Sequence, residues 1–302
     1  MYLKIKRYAY LFFNKWWFAK LVKLPILTFI LPVLTSFYYA ALDIFGDDWV
    51  WIKDHREIHE TIFTLLFVAT MFVVLFRAIA EQYSIGLNKQ KEEVSRNLLK
   101  IFSSLVTKKK RRFFEEAANI RPRADCFKRV TKPDEQLKAI FDSTIEAITT
   151  IFNVNPANLT LTIIEGNNEE NKWWYALQSD HQTRLTSPKK LMENVSTARY
   201  CLDLGQSLFI PDMRKGLKDN VFLSSDRSKS NKEFGSIFCK PVVVKVEDKV
   251  FKYVFTICLY GELLCTPDNE EESRVCEEFF NEISDRVELE LYLRSIKKFR
   301  YS

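Results

Sequence analysis

The stretch Ser236–Tyr260 reads SIFCKPVVVKV, then Glu247-Asp248, then KVFKYVFTICLY. Both flanks are rich in Val, Ile, Phe and Tyr, and a two-residue polar step joins them, so the stretch predicts a hairpin of two long strands. Upstream, Gln206–Pro211 is a further short strand, and Asp212–Phe234 is long, charged and irregular. Earlier still, Leu159–Glu165 (LTLTIIE) alternates and is β-branched, Gly166–Asn171 supplies a turn, and Lys172–Ser179 (KWWYALQS) returns as its partner. Between and around these strands the period changes. Asp134–Phe152 sets Leu137, Ile140, Phe141, Ile145, Ile148 and Phe152 on one helical face. Ser187-Pro188 opens a second helix that runs to about Cys201, and Asp268–Phe299 closes the region with a helix that is acidic at its start and basic at its end. The fold class is α+β: an antiparallel sheet with flanking helices, in a cytosolic domain spanning 134–302.

This order of elements resembles a GAF domain over about Asp134–Arg300. The local carriers are Gly205-Gln206-Ser207-Leu208-Phe209-Ile210-Pro211-Asp212, similar to the family's strand before the ligand-covering loop, and Gly235–Pro241 with Phe255–Gly261, similar to its central strands. The resemblance implies terminal helices on one face of the sheet, a loop-covered pocket for a small ligand or a partner on the other, and terminal helices that join into a dimer bundle. Asn231-Lys232-Glu233-Phe234 is similar to the start of the motif in cyclic-nucleotide-binding GAF domains. The match is incomplete, because Phe238-Cys239 stands where an acidic pair is expected.

Outward from this domain the solvent changes. Leu24–Leu42 (LPILTFILPVLTSFYYAAL) carries no charge and nearly matches a hydrocarbon core about 30 Å thick at a rise of about 1.5 Å per residue. Thr61–Phe76 (TIFTLLFVATMFVVLF) is shorter and reaches an adequate span towards Ala80 if Arg77 snorkels. These predict two transmembrane helices, about 24–42 and 61–80, in a membrane domain over 1–80; a buried helix of a soluble domain is the other reading of the shorter run. The first 23 residues hold Lys4, Lys6, Arg7, Lys15, Lys20 and Lys23 and no acid, whereas Asp43–Glu60 holds six acids against Lys53 and Arg56. Lys and Arg collect on the retained side, which places both termini in the cytoplasm of an integral membrane protein, as in a bacterial inner membrane. Aromatics interleaved with lysines in residues 1–20 fit either an interfacial helix in the headgroup layer or a cytosolic tail with belt residues. The long apolar region lacks a small-x-small cleavage site and is followed by a second apolar run, unlike a cleaved signal peptide.

Residues 81–133 form a stalk and linker. Ile79, Tyr83, Leu87, Val94, Leu98, Ile101 and Leu105 repeat by three, four or seven, which suits either self-pairing or a single amphipathic helix packed on its own domain. Arg121–Asp134, with two prolines, marks the boundary. Hydrophobic residues make up 47% of the 302-residue chain and charged ones 28%, and Gly and Pro are too few for a fibrous or low-complexity protein. Residues 1–133 carry 23 basic against 12 acidic side chains and residues 134–302 carry 22 against 27. The excess positive charge therefore belongs to the membrane-proximal part, and with no supporting motif no nucleic-acid partner is expected. All six cysteines fall in the cytosolic part, where thiols stay reduced.

No motif carries catalytic chemistry. His55 and His59 stand at i and i+4, yet HREIH fits neither zinc-hydrolase pattern, and GxSxG, Walker, dinucleotide and kinase signatures are missing. The chain is expected to be no enzyme and to need no metal or cofactor. The best cavity is bounded by 188–201, 206–211 and 212–234, where Asp212, Arg214, Lys215, Arg227 and Ser236 meet polar or anionic groups and Phe209 and Phe238 enclose them; solvated loop charges and core aromatics are the alternative. The expected function is a membrane-anchored sensor or effector. Its GAF-like domain binds a small, nucleotide-like ligand and signals to the transmembrane hairpin, as in bacterial defence effectors, with homo-oligomers formed through the stalk and terminal helices. A membrane-anchored scaffold binding a partner protein is the second reading.

Overall fold

The computed structural model describes residues 5, 8–10, 12, 25–45, 48–119, 121, 125–167, 172–179, 186–193, 196–220, 222, 224, 226–230 and 232–301. The chain divides into two compact units, Met1–Gln90 and Lys91–Ser302.

In the first unit, helix α1 (Pro25–Phe45) and the short α2 (Val50–Asp54) precede α3 (Arg56–Ala117), a single helix of 62 residues that continues into the second unit. Pro32 sits inside α1 and removes one backbone donor. Thr35 and Ser36 donate their hydroxyls to the carbonyls of Leu31 and Pro32 at 2.7 and 2.8 Å. Here α1 and α3 run antiparallel, joined by a 3.3 Å hydrogen bond between the Thr35 and Thr70 hydroxyls and a 2.7 Å bond between the Tyr38 hydroxyl and His59 Nδ1. Tyr39 and Phe63 place their rings 5.1 Å apart. Outside this seam, Ile62, Leu65, Leu66, Phe67, Val68, Met71, Phe72 and Leu75 are exposed. Among the described residues one helix, α3, is long and apolar enough to cross a membrane; Ile30–Phe45 is a shorter apolar helix. The interfacial helix expected over residues 1–20 falls mostly outside the described residues, though Ile5, Tyr8–Tyr10 and Phe12 are helical.

In the second unit, β1 (Leu159–Asn167), β2 (Lys172–Gln178), β3 (Leu208–Ile210), β4 (Gly235–Val246) and β5 (Lys249–Tyr260) form one antiparallel sheet in the order β2-β1-β5-β4-β3. β4 and β5 pair along their whole length, from Val246↔Lys249 to Gly235↔Tyr260, across a turn in which Glu247 takes a left-handed φ of 51°. Alternation separates the faces. Leu159, Leu161 and Ile163 of β1, Phe238, Val242 and Val244 of β4, and Tyr253, Phe255, Ile257 and Leu259 of β5 share one core. Into it pack α5 (Pro133–Phe152) through Leu137, Ile140, Phe141 and Ile148, and the closing α10 (Glu270–Tyr301) through Phe279, Phe280, Ile283, Val287 and Leu291. This α+β arrangement, terminal helices on one face of an antiparallel sheet, is what the GAF resemblance implies.

The distal half of α3 joins this core as well. Val94, Ile101 and Leu105 are buried in it, Leu105 completely. Gln136 Nε2 donates to the Leu105 carbonyl at 3.5 Å, Lys109 pairs with buried Glu290 at 2.9 Å, and Arg112 pairs with Glu135 at 3.4 Å. From Val94 to Leu105 the apolar series packs on its own domain, whereas Ile79 belongs to the first unit. Between α3 and α5 lies the short α4 (Cys126–Val130), capped by the Asp125 carboxylate.

The opposite sheet face is covered by α6 (Pro188–Glu193), α7 (Thr197–Leu204) and α8 (Met213–Lys218). One helix over 188–201 was expected, and two are present. Ser196 takes an extended conformation and its hydroxyl accepts from Arg199 N–H at 3.1 Å, which starts α7 afresh; Gly205, at φ 68°, ends it. The irregular 212–234 region contains α8 and the short α9 (Asp226–Ser230). Gly166 opposes Trp173, and a Cβ there would lie 2.0 Å from the indole, so any other residue would force the Trp173 ring to shift.

Candidate functional site

The face under α6, α7 and α8 presents small polar and thiol side chains in register. Thr162 of β1 aligns with Thr256 of β5, which aligns with Cys239 of β4, and Thr160 aligns with Cys258, which aligns with Ile237. From α7 the Cys201 thiol donates to the Gln206 carbonyl at 3.0 Å and approaches the Cys239 carbonyl at 3.4 Å. Burial pushes the Cys201 thiol up to about 12 and holds that of Cys239 well above its ordinary range. Burial therefore favours the protonated form of both thiols, which contribute packing and weak hydrogen bonds.

The residues singled out from sequence take three kinds of place. Asp212 caps α8, accepting from Arg214 N–H at 3.0 Å, and pairs with the Arg214 guanidinium at 3.4 Å; that guanidinium also lies 4.2 Å from the Phe234 ring centroid. Lys215 reaches Asp268 at 3.5 Å. Arg214 and Lys215 form an exposed rim over the half-buried Asp212. Ser236 is fully buried: its hydroxyl donates to the Pro211 carbonyl at 2.7 Å and accepts from Leu264 N–H at 3.0 Å, fastening β4 to the ends of two loops. Phe209 and Phe238 turn to the terminal-helix face, their rings 5.6 and 5.3 Å from Phe280. They are core aromatics, set apart from the rim by the sheet. The Arg227 side chain lies outside the described residues, as does Asn231 of the motif-like tetrapeptide. His59 is buried between the Tyr38 hydroxyl and the edge of Trp51, and among the described residues no cluster of three His, Cys, Asp or Glu could hold a metal.

A second concave site was not singled out from sequence. Glu165 of β1 is buried and accepts from Trp174 Nε1 at 3.2 Å, Arg294 Nη2 at 3.3 Å and Lys298 Nζ at 2.5 Å, which locks the end of α10 to the sheet. Burial pulls the Arg294 and Lys298 cations down from their ordinary ranges, and Glu165 partly restores Lys298. Beside this lock is a cleft of about 580 Å³ lined by Lys128, Pro133, Asp134, Lys249, Phe251, Arg294, Lys297, Lys298 and Tyr301. Its signal was present in the closing helix, where Lys297 and Lys298 follow Arg294 by three and four residues and Tyr301 follows them by four and three. Those cations also complement a helix C-terminus, and that reading absorbed them.

No family model matches the chain, and no curated protein matches it. Among solved structures it is similar to the GAF domain of a phosphoenolpyruvate-protein phosphotransferase from Coxiella burnetii, at 12% identity and a TM-score of 0.34, covering 63% of this chain and 92% of that one. It is also similar to a red/green cyanobacteriochrome in its red light-absorbing state, at 12% identity and a TM-score of 0.29, covering 52% of this chain and 97% of that one.

Proposed function

We propose that the chain is a membrane-anchored sensor or effector whose GAF-like domain binds a small, nucleotide-like ligand under α6 to α8 and signals through α3 to a two-helix hairpin in the bilayer. One observation carries this reading: α3 is a single helix that exposes Leu65, Phe67, Met71 and Phe72 in one half and buries Leu105 in the domain core with the other. An apolar surface of that kind is stable in hydrocarbon and costly in water, at about 25 cal/mol per Å². A helix transmits a shift along its axis because its backbone hydrogen bonds leave few soft dihedrals. Exposed apolar residues also recur on the outer helices. Leu99, Val106 and Phe113 follow at intervals of seven on α3, and Leu289, Tyr292 and Ile296 share a face of α10. A second copy of the chain is the partner we assign to them.

The test uses the full chain in nanodiscs. A nucleotide panel is expected to raise the melting temperature of the domain and to change hydrogen exchange in α1 and the first half of α3. Lys91→Pro breaks α3 between the units and should keep the thermal shift while abolishing the change in the hairpin. A chain that shows no shift with any nucleotide and copurifies with a stable protein partner in detergent supports the scaffold reading instead.

A further inference from the structure

The cleft beside Glu165 draws its cations from three separate elements: Lys128 from α4, Lys249 from β5, and Arg294, Lys297 and Lys298 from the last turns of α10. Among the described residues Asp134 is the one carboxylate in its lining, and it pairs with Arg294. Glu165, behind the wall, neutralises the Arg294 and Lys298 side. Asp125 at the edge accepts from Tyr301, pairs with Arg300 and attracts Lys128 without a direct ion pair, while Lys249 and Lys297 have no ion-paired carboxylate among the described residues. The Lys297 ammonium donates to the Thr131 carbonyl at 2.8 Å, while Lys128 and Lys249 stand 5.3 and 5.6 Å from the ring centroids of Tyr301 and Phe299. Helix-dipole compensation explains Lys297, but it does not explain cations brought to the same cleft by α4 and β5. Like charges lining one concave surface repel each other, and a bound anion relieves that repulsion. Pro133 and Phe251 add apolar surface, and the volume falls within the range of about 300–1,000 Å³ usual for small-molecule sites.

We infer that this cleft binds a phosphate-bearing organic anion, with the phosphate oxygens on Lys128, Lys249 and Lys297 and the apolar body against Pro133 and Phe251. The site is separate from the sheet-face pocket proposed above and shares no residue with it. Its occupant ties α4, which follows α3 in the chain, to the end of α10.

The test titrates a fluorescent trinitrophenyl-ATP probe, with unlabelled ATP as competitor, against the full chain in nanodiscs of phosphatidylcholine, every variant also carrying Arg214→Gln and Lys215→Gln so that the rim of the sheet-face pocket does not contribute. The triple variant Lys128→Gln, Lys249→Gln, Lys297→Gln is compared with the equally charged control Lys100→Gln, Lys108→Gln, Lys110→Gln, whose lysines are exposed on α3, after both are shown to melt like the parent. Saturable binding is expected to weaken roughly tenfold or more in the cleft variant, since charge-assisted hydrogen bonds are lost, and to stay within roughly twofold in the control. The corresponding triple Lys→Arg variant should retain binding. Nanodiscs containing a phosphorylated phosphoinositide separate the sources of phosphate: competition by that lipid assigns a headgroup, and competition by soluble nucleotide alone assigns a free metabolite. No saturable binding, or equal loss in the cleft and control variants, overturns the inference.

Discussion

Replacing Leu105 by alanine tests whether the long helix is an integral part of the domain. Leu105 is completely buried, in contact with a core shared by α5, α10 and the sheet. The substitution deletes three carbons, which at about 0.8 kcal/mol each carry about 2.4 kcal/mol of transfer free energy. The cavity left behind raises the expected loss to roughly 3–4 kcal/mol, within the range for buried leucines. For a domain of this size, at about 2–4 °C per kcal/mol, that lowers the melting temperature by roughly 6–16 °C. Phe114, nine residues later on the same helix and 78% exposed, is the internal control, and its alanine variant should shift stability by less than about 0.5 kcal/mol. Tryptophan fluorescence reports the transition in detergent through Trp173 and Trp174 of β2. Indistinguishable melting of Leu105→Ala and Phe114→Ala would show that α3 does not share the domain's core.

Glu165→Gln leaves Arg294 and Lys298 without their buried counter-ion. Because Lys298 is 37% exposed, the expected loss is about 3 kcal/mol, at the low end for broken buried pairs, read by urea unfolding. Ser236→Ala strands the Pro211 carbonyl and the Leu264 N–H and should cost about 2 kcal/mol in the same assay, with an unchanged m-value. The Cys201 thiol titrates near 12 in the folded chain against an ordinary 9.0. Between those values the unfolded chain binds fewer protons, so stability falls as pH rises from about 9; at pH 8 iodoacetamide should modify exposed Cys126 and spare Cys201 until the domain unfolds. Leu99→Glu with Val106→Glu should leave the melting temperature near the parent's while lowering the oligomeric mass seen by light scattering in detergent, and an unchanged mass would remove these residues from the interface.

The fold was largely legible because its strands carry their own period. Ser236–Val246 and Lys249–Tyr260 alternate or run apolar and are separated by two polar residues, and both strand boundaries fall within one residue of those observed. The break between α6 and α7 was missed because Thr197–Leu204 continues the helical pattern; the signal was Ser196, a side chain able to cap its own chain. The candidate site was legible in part. Asp212, Arg214 and Lys215 gather on the rim of α8, but Phe209 and Phe238 point to the other face. A three-residue strand does not reveal its facing until the partner strand fixes it, here through Phe209↔Phe238. The basic cleft was illegible for a different reason: Lys128, Lys249 and Lys297 are far apart in sequence, and only the docking of α4 and α10 beside β5 unites them.

The most direct test of a bilayer anchor with an internal domain combines fractionation with labelling of Cys126. Membranes from cells expressing the full chain are washed with alkaline carbonate, and intact and permeabilised cells are treated with an impermeant maleimide. The chain should remain in the membrane pellet, with Cys126 labelled only after permeabilisation. Release into the carbonate supernatant, or labelling of Cys126 in intact cells, would contradict it.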